Sequence, residues 1–81
     1  MQKSIRIHGL KIHPEYYQEV LLGRKTFEIR KNDRNYQVGD MVRLCEYDPN
    51  KKEYTGRKLY KEITYITDYA QKENYVVFGL I

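Results

Sequence analysis

Apolar and polar residues alternate over most of the 81-residue chain, and this pattern predicts a protein built mainly from β-strands. Residues common in turns, such as glycine, proline, asparagine and aspartate, separate the alternating segments. The predicted strands are residues 3–12, 26–31, 41–48, 59–67 and 75–81. The last of these is almost continuously apolar, which favours a central position in the sheet.

One segment has the spacing of a helix. Pro14 suits the first helical position, and Gly23 is expected to end the element. The apolar residues that recur on one helical face are Tyr16, Tyr17, Val20 and Leu21. The sequence therefore predicts a helix of about two turns that is held by packing of this face.

The strand at residues 26–31 carries an acid among cations. Alternation places Phe27 and Ile29 on one face, with Glu28 and Arg30 on the other. Because Glu28 and Arg30 are two residues apart, an ion pair between them is the simplest expectation. The alternative is that such a pair only stabilises the strand and does not bind a ligand.

Positive charge concentrates around this strand. Residues 23–34 contain five basic and two acidic residues, a net charge of +3, whereas the whole chain has a net charge of +4. Lys25 lies three residues before Glu28, so a regular strand would place the two on opposite faces. They can meet only if Lys25 belongs to the turn after Gly23.

A second basic segment, residues 51–61, has five basic residues and one acid, and it includes Tyr54 and Tyr60. Cations mixed with aromatic rings are typical of grooves that bind nucleic acid. The alternative is an exposed hairpin whose lysines prevent unwanted strand pairing. The Thr-Gly-Arg sequence at 55–57 breaks the strand pattern, so a bulge is expected to turn Arg57 toward the cleft. Glu46 lies in phase with apolar neighbours, so we expect it either to reach the mouth of the barrel, beside Glu28 and Lys25, or to take part in a buried polar network.

Composition limits the classes of function. A pI near 9.2 favours a polyanionic partner, and nine tyrosines with two phenylalanines supply rings for a thin core or for stacking on bases. With one cysteine, no internal disulfide is possible, and no apolar run approaches the ~20 residues that span a bilayer. The first residues lack the apolar centre of a signal peptide, so we expect a cytoplasmic protein. We also expect no metal site and no cofactor, because the two histidines form no cluster with cysteine.

The motif Gly23-x-Lys25-x-x-Glu28-x-Arg30 resembles the G-x-K-x-x-E-x-R motif of ASCH domains, which belong to the PUA-like superfamily. Flanking stretches extend the resemblance, over nearly the whole chain, to a small bacterial and phage family of unknown function within that group. These stretches lie at residues 8–16, 27–34, 38–40, 46–48 and 54–57. The resemblance implies a single domain over residues 1–81. It would be a mainly β (α+β) fold, a small PUA-like barrel of about five to six strands with one short helix beside a cleft.

We therefore expect the chain to bind RNA or a nucleotide through a basic cleft around the motif. The partner would be RNA, a nucleotide or a nucleoside, without membrane association, and a monomer is favoured. The predicted ligand-binding residues are Lys11, Lys25, Glu28, Arg30, Lys31, Arg34, Glu46 and Arg57. In this hypothesis the cations neutralise phosphates, a tyrosine stacks on a base and Glu28 binds a base amine.

Two other hypotheses stay open, and whether the protein is an enzyme is undecided. Some ASCH-like domains with a Gly-Arg-Lys-Thr stretch, matched here by residues 23–26, are amidohydrolases that act on N4-acetylated cytidine. Lys25 matches their catalytic lysine, but Glu28 stands where they have a catalytic threonine, which departs from their pattern. Glu46 and Glu73 are the candidates for their distant glutamate. In an enzyme, Lys25 and Glu28 would have acid–base roles. The third hypothesis is a module that binds another protein.

Overall fold

The computed structural model describes residues 4–81, which form five strands and one helix. The elements in chain order are β1 (Ile7–Ile12), α1 (Pro14–Leu21), β2 (Phe27–Lys31), β3 (Met41–Asp48), β4 (Glu53–Thr67) and β5 (Tyr75–Leu80). The prediction of a mainly β chain with one short helix is confirmed. The start of the first predicted strand, at Lys3, lies outside the described residues.

The strands form one mixed sheet in the order β1-β3-β4-β5-β2. β1 runs parallel to β3, and the other neighbouring pairs are antiparallel. β4 is longer than predicted because it begins at Glu53 and serves two partners: its first part pairs with β3, and residues 63–67 pair with β5. As predicted, β5 has a central position, between β4 and β2.

The core lies on one face of the sheet and is covered by the helix. Val42, Leu44, Ile63 and Phe78 are fully buried there. Of the predicted helical face only Tyr17 and Val20 are buried, whereas Tyr16 and Leu21 are about half exposed. The eight-residue helix contacts the sheet along a narrower line than expected, and Tyr16 faces a cleft instead. In the part of the chain that the structure describes, no helix is long enough and apolar enough to cross a lipid bilayer.

The sheet does not close into the predicted barrel. β1 and β2 are its two edge strands, and side chains rather than a backbone ladder join them. Arg30 Nη2 donates to the carbonyl oxygen of Lys11 at 2.8 Å, and Arg34 Nη1 donates to that of Gly9 at 2.7 Å. Two guanidinium groups thus satisfy alternate carbonyls along the edge of β1, where a neighbouring strand would otherwise pair.

A buried polar cluster fixes the loop between β2 and β3 against β1. His8 Nε2 lies 2.8 Å from Asp40 Oδ2, which also accepts the backbone N–H of Gln37 at 3.0 Å. The guanidinium of Arg6 lies 3.7 Å from the same oxygen. Burial by itself would raise the pKa of Asp40. The hydrogen bonds from His8 and Gln37, together with the charge of Arg6, outweigh burial and lower the pKa below its ordinary value of 3.8.

We predict that Asp40→Asn lowers the free energy of unfolding at neutral pH by about 1–3 kcal/mol, because a buried charge-assisted hydrogen bond is weakened. Since the folded-state pKa of Asp40 is below the unfolded-state value, its carboxylate stabilises the fold above about pH 3.8. This contribution is lost as the pH falls through the folded-state pKa. Urea unfolding at a series of pH values should therefore show a smaller acid-induced loss in the variant than in the wild type.

The matched control is Asp33→Asn, because the Asp33 side chain is largely exposed. It should leave both the stability at neutral pH and its decline in acid close to those of the wild type. Equal acid dependence in Asp40→Asn and the wild type would contradict the assigned role of Asp40.

Candidate functional site

The end of the helix brings Lys25 to Glu28. Gly23 follows the C-cap residue Leu22 with a φ of +75°, a left-handed conformation that glycine adopts without strain. The backbone N–H of Lys25 donates to the carbonyl of Glu19, so Lys25 lies in the turn before β2. From there Lys25 Nζ donates to Glu28 Oε1 at 2.5 Å and to the carbonyl of Phe27 at 2.7 Å. The sequence predicted that Lys25 could reach Glu28 only from the turn after Gly23, and the structure places Lys25 in that turn.

Glu28 is buried, and its apolar neighbours on β2 are exposed. Glu28 is 4% exposed, whereas Phe27 and Ile29 are 44% and 52% exposed. Glu28 pairs in register with Phe78, whose side chain is fully buried, so the face of β2 that carries the acid is the inner face. The predicted alternation along β2 is correct, but the face that carries Phe27 and Ile29 is the one exposed to solvent.

The predicted ion pair with Arg30 is present. Arg30 Nε donates to Glu28 Oε2 at 2.9 Å, so each carboxylate oxygen of Glu28 receives one cation. A carboxylate that is buried without such partners would be strongly destabilising. Glu28 is thus clamped between Lys25 and Arg30, and the clamp holds the turn, β2 and the edge of β1 together through the Arg30 contact with Lys11.

A cleft of about 470 Å³ opens over this clamp, between the end of β1, the start of α1 and the edge of β2. It contains three cations, one acid and three aromatic rings. The lining residues are Lys11, Ile12, His13, Tyr16, Lys25, Phe27, Glu28, Ile29 and Arg30. The rings of His13 and Tyr16 are nearly parallel, with their centroids 6.5 Å apart. The cleft therefore combines charged donors with flat apolar surface.

The clamp leaves hydrogen-bonding capacity for a ligand. Of the five N–H donors of Arg30, the described contacts use one on Nε and one on Nη2. Lys25 donates twice and has three N–H bonds. Donors of this kind bind phosphate or carbonyl oxygens, and the carboxylate of Glu28 can accept from an amine.

Glu46 and Arg57 form a separate network. Glu46 is buried; its Oε1 accepts from the Thr55 hydroxyl at 2.6 Å and from Arg57 Nε at 2.9 Å, and its Oε2 accepts from Arg57 Nη2 at 2.9 Å. These hydrogen bonds, first from Arg57 and then from Thr55, lower the pKa of Glu46 against the opposing effect of burial. The Arg57 guanidinium also lies over the Tyr17 ring, 4.6 Å from its centroid.

The expected bulge is present and directs Arg57. The register of β3 and β4 shifts between Cys45 and Tyr47, and Gly56 has a φ of +93°. Arg57 is therefore directed to Glu46, and it does not line the cleft over Glu28 toward which the sequence predicted that it would turn. The single cleft expected from the sequence is instead two acid-centred clusters.

The remaining predicted residues have different positions. Lys11 is exposed and lines the cleft, with its Nζ 4.0 Å from the centroid of the Tyr47 ring. Arg34 uses one nitrogen to hold the edge of β1. Lys31 lines a different concavity, formed with residues 68–76. Ligand binding by each of these residues stays a prediction.

The sequence did not identify the cleft residues His13, Tyr16, Phe27 and Ile29. Tyr16 was predicted to lie on the packed helical face. Phe27 and Ile29 were placed on the face of the strand opposite Glu28, and no ligand contact was predicted for either of them. The position of His13 directly before the proline of the helix start is the one available signal, since it places the ring at the helix entrance. Within residues 4–81, no group of three or more histidine, cysteine, aspartate or glutamate side chains could hold a metal ion.

Comparison with known proteins assigns the chain to a family, and neither match below names an activity. Residues 7–80 match the domain of unknown function DUF3850, which covers every strand and the helix. The chain is also 42% identical over 77 residues to a protein of Escherichia phage P2 described as an uncharacterized 12.9 kDa protein in the GpA 3' region. That similarity covers 94% of this chain and 69% of the phage protein. With its whole sheet and its Glu28 clamp inside the matched region, the chain belongs to the DUF3850 family.

Proposed function

We propose that the protein binds RNA or a nucleotide in the cleft over Glu28. The observation that carries this proposal is the Glu28 carboxylate, 4% exposed and held between Lys25 and Arg30 in a cleft that Tyr16 and His13 also line. The proposal includes the cytoplasmic setting that the composition indicates.

The proposal also includes membership of the ASCH group of the PUA-like superfamily. The motif residues Lys25, Glu28 and Arg30 support it, because all three meet in one contact network. The hydrogen bonds from Arg30 and Arg34 to carbonyls of β1 support it too, since they link the two edge strands of the open sheet.

Each part of a nucleotide has a matching group in the cleft. A base can stack on the Tyr16 ring, which is half exposed, and its exocyclic amine can donate to Glu28. The phosphate can accept from Lys11, Lys25 and the remaining donors of Arg30. The burial of the clamp makes these charges effective, because water screens them less than it screens surface charges.

We predict that Lys25→Ala weakens binding of nucleoside monophosphates and short single-stranded RNA by at least about tenfold, since a charge-assisted contact contributes about 1.5–3 kcal/mol. Wild-type affinity should fall steeply with salt, and the variant should show a shallower dependence. Ligand-observed NMR against nucleosides, nucleotides and short RNAs measures both effects. Glu28→Gln, which keeps the shape of the side chain, should reduce the preference for bases that carry an exocyclic amine.

Lys51→Ala is the matched control, because Lys51 is exposed in the turn between β3 and β4 and its loss removes the same charge. It should bind like the wild type. A thermal melt of each variant checks that the fold is intact. Salt-independent binding, no binding at all, or equal losses in Lys25→Ala and Lys51→Ala would refute the proposed function.

A hydrolase is the second candidate, and the direct contact of Lys25 with Glu28 favours it. A lysine and a carboxylate in hydrogen-bond contact beside a ligand can transfer a proton to or from a reacting group. The ligand would be a modified nucleoside or RNA, with N4-acetylcytidine as the compound that the resemblance to amidohydrolases indicates. Glu46 is an unsuitable third catalytic group here, because it does not line the cleft over Glu28 and belongs to a separate network with Arg57 and Thr55.

If the chain is such an amidohydrolase, incubation with N4-acetylcytidine will release acetate, which NMR detects directly. Lys25→Ala and Glu28→Gln should each abolish the release, while Lys51→Ala should not change it. Absence of acetate with the wild-type protein would exclude this reaction, and it would leave the binding proposal in place.

A further inference from the structure

The outer face of the sheet, away from the core, carries a second group of cations and rings. On β3, Val42, Leu44 and Glu46 are buried, so the alternating residues point to the opposite face. Register then brings residues of three strands together there. We name these residues the outer platform: Lys11 from β1, Arg43 and Tyr47 from β3, and Tyr54, Lys58 and Tyr60 from β4.

Two of the cations are held in position. Arg43 lies across β1 at Gly9, where a Cβ atom would be 2.7 Å from Arg43 Nη2. Glycine at this position therefore lets the guanidinium lie flat on the strand. Lys11 Nζ lies 4.0 Å from the centroid of Tyr47, whose ring meets that of Tyr54 edge-to-face at 5.1 Å. These contacts reduce the entropy that the side chains would lose on binding a ligand.

The electrostatics of the platform favour an anionic ligand. A concavity of about 340 Å³ lies over it, and the described residues that line it include four cations and no acid. One of the four, Arg57, is neutralised by Glu46. The platform has an acidic neighbour in Glu62, which lies two residues beyond Tyr60 on β4 and pairs with Met41, but this residue does not line the concavity. The other three cations, Lys11, Arg43 and Lys58, carry the positive charge of the platform.

The rings make nucleic acid a better match than another polyanion. Tyr54 and Tyr60 are 58% and 51% exposed, so their faces are accessible for stacking. Tyr60 stands directly across from Arg43 in the register of β3 and β4, which puts a stacking ring beside a phosphate-binding group. Lysines that only prevented edge pairing would lie on one strand, whereas these cations come from all three.

We propose that single-stranded RNA is the ligand of this protein and that the strand leaves the cleft over Lys11 and crosses the outer platform. Lys11 lines both concavities and is the point where they meet. The proposal rests on the proposed function for the nucleotide in the cleft, and it extends that site by the neighbouring nucleotides. Phosphates contact Lys11, Arg43 and Lys58, and bases stack on Tyr54 and Tyr60.

The test compares a nucleoside monophosphate with an RNA of about eight nucleotides, which is long enough to reach the platform. The double variant Arg43→Gln/Lys58→Gln should weaken RNA binding by about tenfold or more and reduce the salt slope by about 1.4, because two phosphate contacts are lost. Its affinity for the monophosphate should be unchanged. Tyr54→Ser should weaken RNA binding by about fivefold or more.

The matched controls are Lys51→Gln/Lys72→Gln, which removes two exposed positive charges elsewhere, and Tyr65→Ser, which removes an exposed ring from the far part of β4. Both should bind RNA like the wild type, and thermal melts verify the fold of all variants. RNA that binds no tighter than the monophosphate, or equal losses in the platform and control variants, would overturn the proposal. Heparin that binds as tightly as RNA, with no effect of Tyr54→Ser, would overturn it in favour of a general polyanion surface.

The two proposals fail in different ways. If only the cleft proposal is wrong, Lys25→Ala will leave RNA binding unchanged while Arg43→Gln/Lys58→Gln reduces it. If only the platform proposal is wrong, Lys25→Ala will reduce binding of both ligands, and the platform variants will match their controls.

Discussion

The rest of the structure depends on two hydrogen bonds that the guanidinium of Arg30 donates. One nitrogen neutralises the buried Glu28, and another satisfies a backbone carbonyl at the edge of β1. The same side chain thus makes it possible to bury an acid on the inner face of β2 and holds together the two edges of the sheet. Because a cleft lies where these edges meet, the stability of the sheet and the shape of the candidate site have a common origin.

Much of the fold could be predicted from the sequence, because strand alternation and helix-end signals are local. The segments β3 and β5, the start of the helix at Pro14 and its end near Gly23 were all predicted close to their positions in the structure. Alternation alone does not say which face of a strand is buried. For β2, alternation separated Phe27 and Ile29 from Glu28, and the pairing of Glu28 with Phe78 is what places the acid inside. That pairing joins residues distant in sequence, so no local pattern contains it.

The candidate site was predictable in part for the same reason. The meeting of Lys25, Glu28 and Arg30 follows from their spacing once the turn after Gly23 is known. The separation of Glu46 and Arg57 from them depends on the direction that the Gly56 bulge gives to one side chain. The link between the two edges of the open sheet depends on donors of Arg30 and Arg34 that reach carbonyls of β1. Both facts concern side-chain direction in three dimensions, which residue type and spacing do not determine.

The pairing of β2 with β5 has a consequence for synthesis of the protein. β2 carries the motif, yet its backbone partners lie about fifty residues later, with Phe27 opposite Gly79. Contacts of such long sequence separation form late, because a large loop must close first. On the ribosome, β2 cannot acquire its partner until the chain has emerged past residue 80. The cleft is therefore among the last features of this chain to assemble, and nascent chains will lack it although they already contain every residue of the motif.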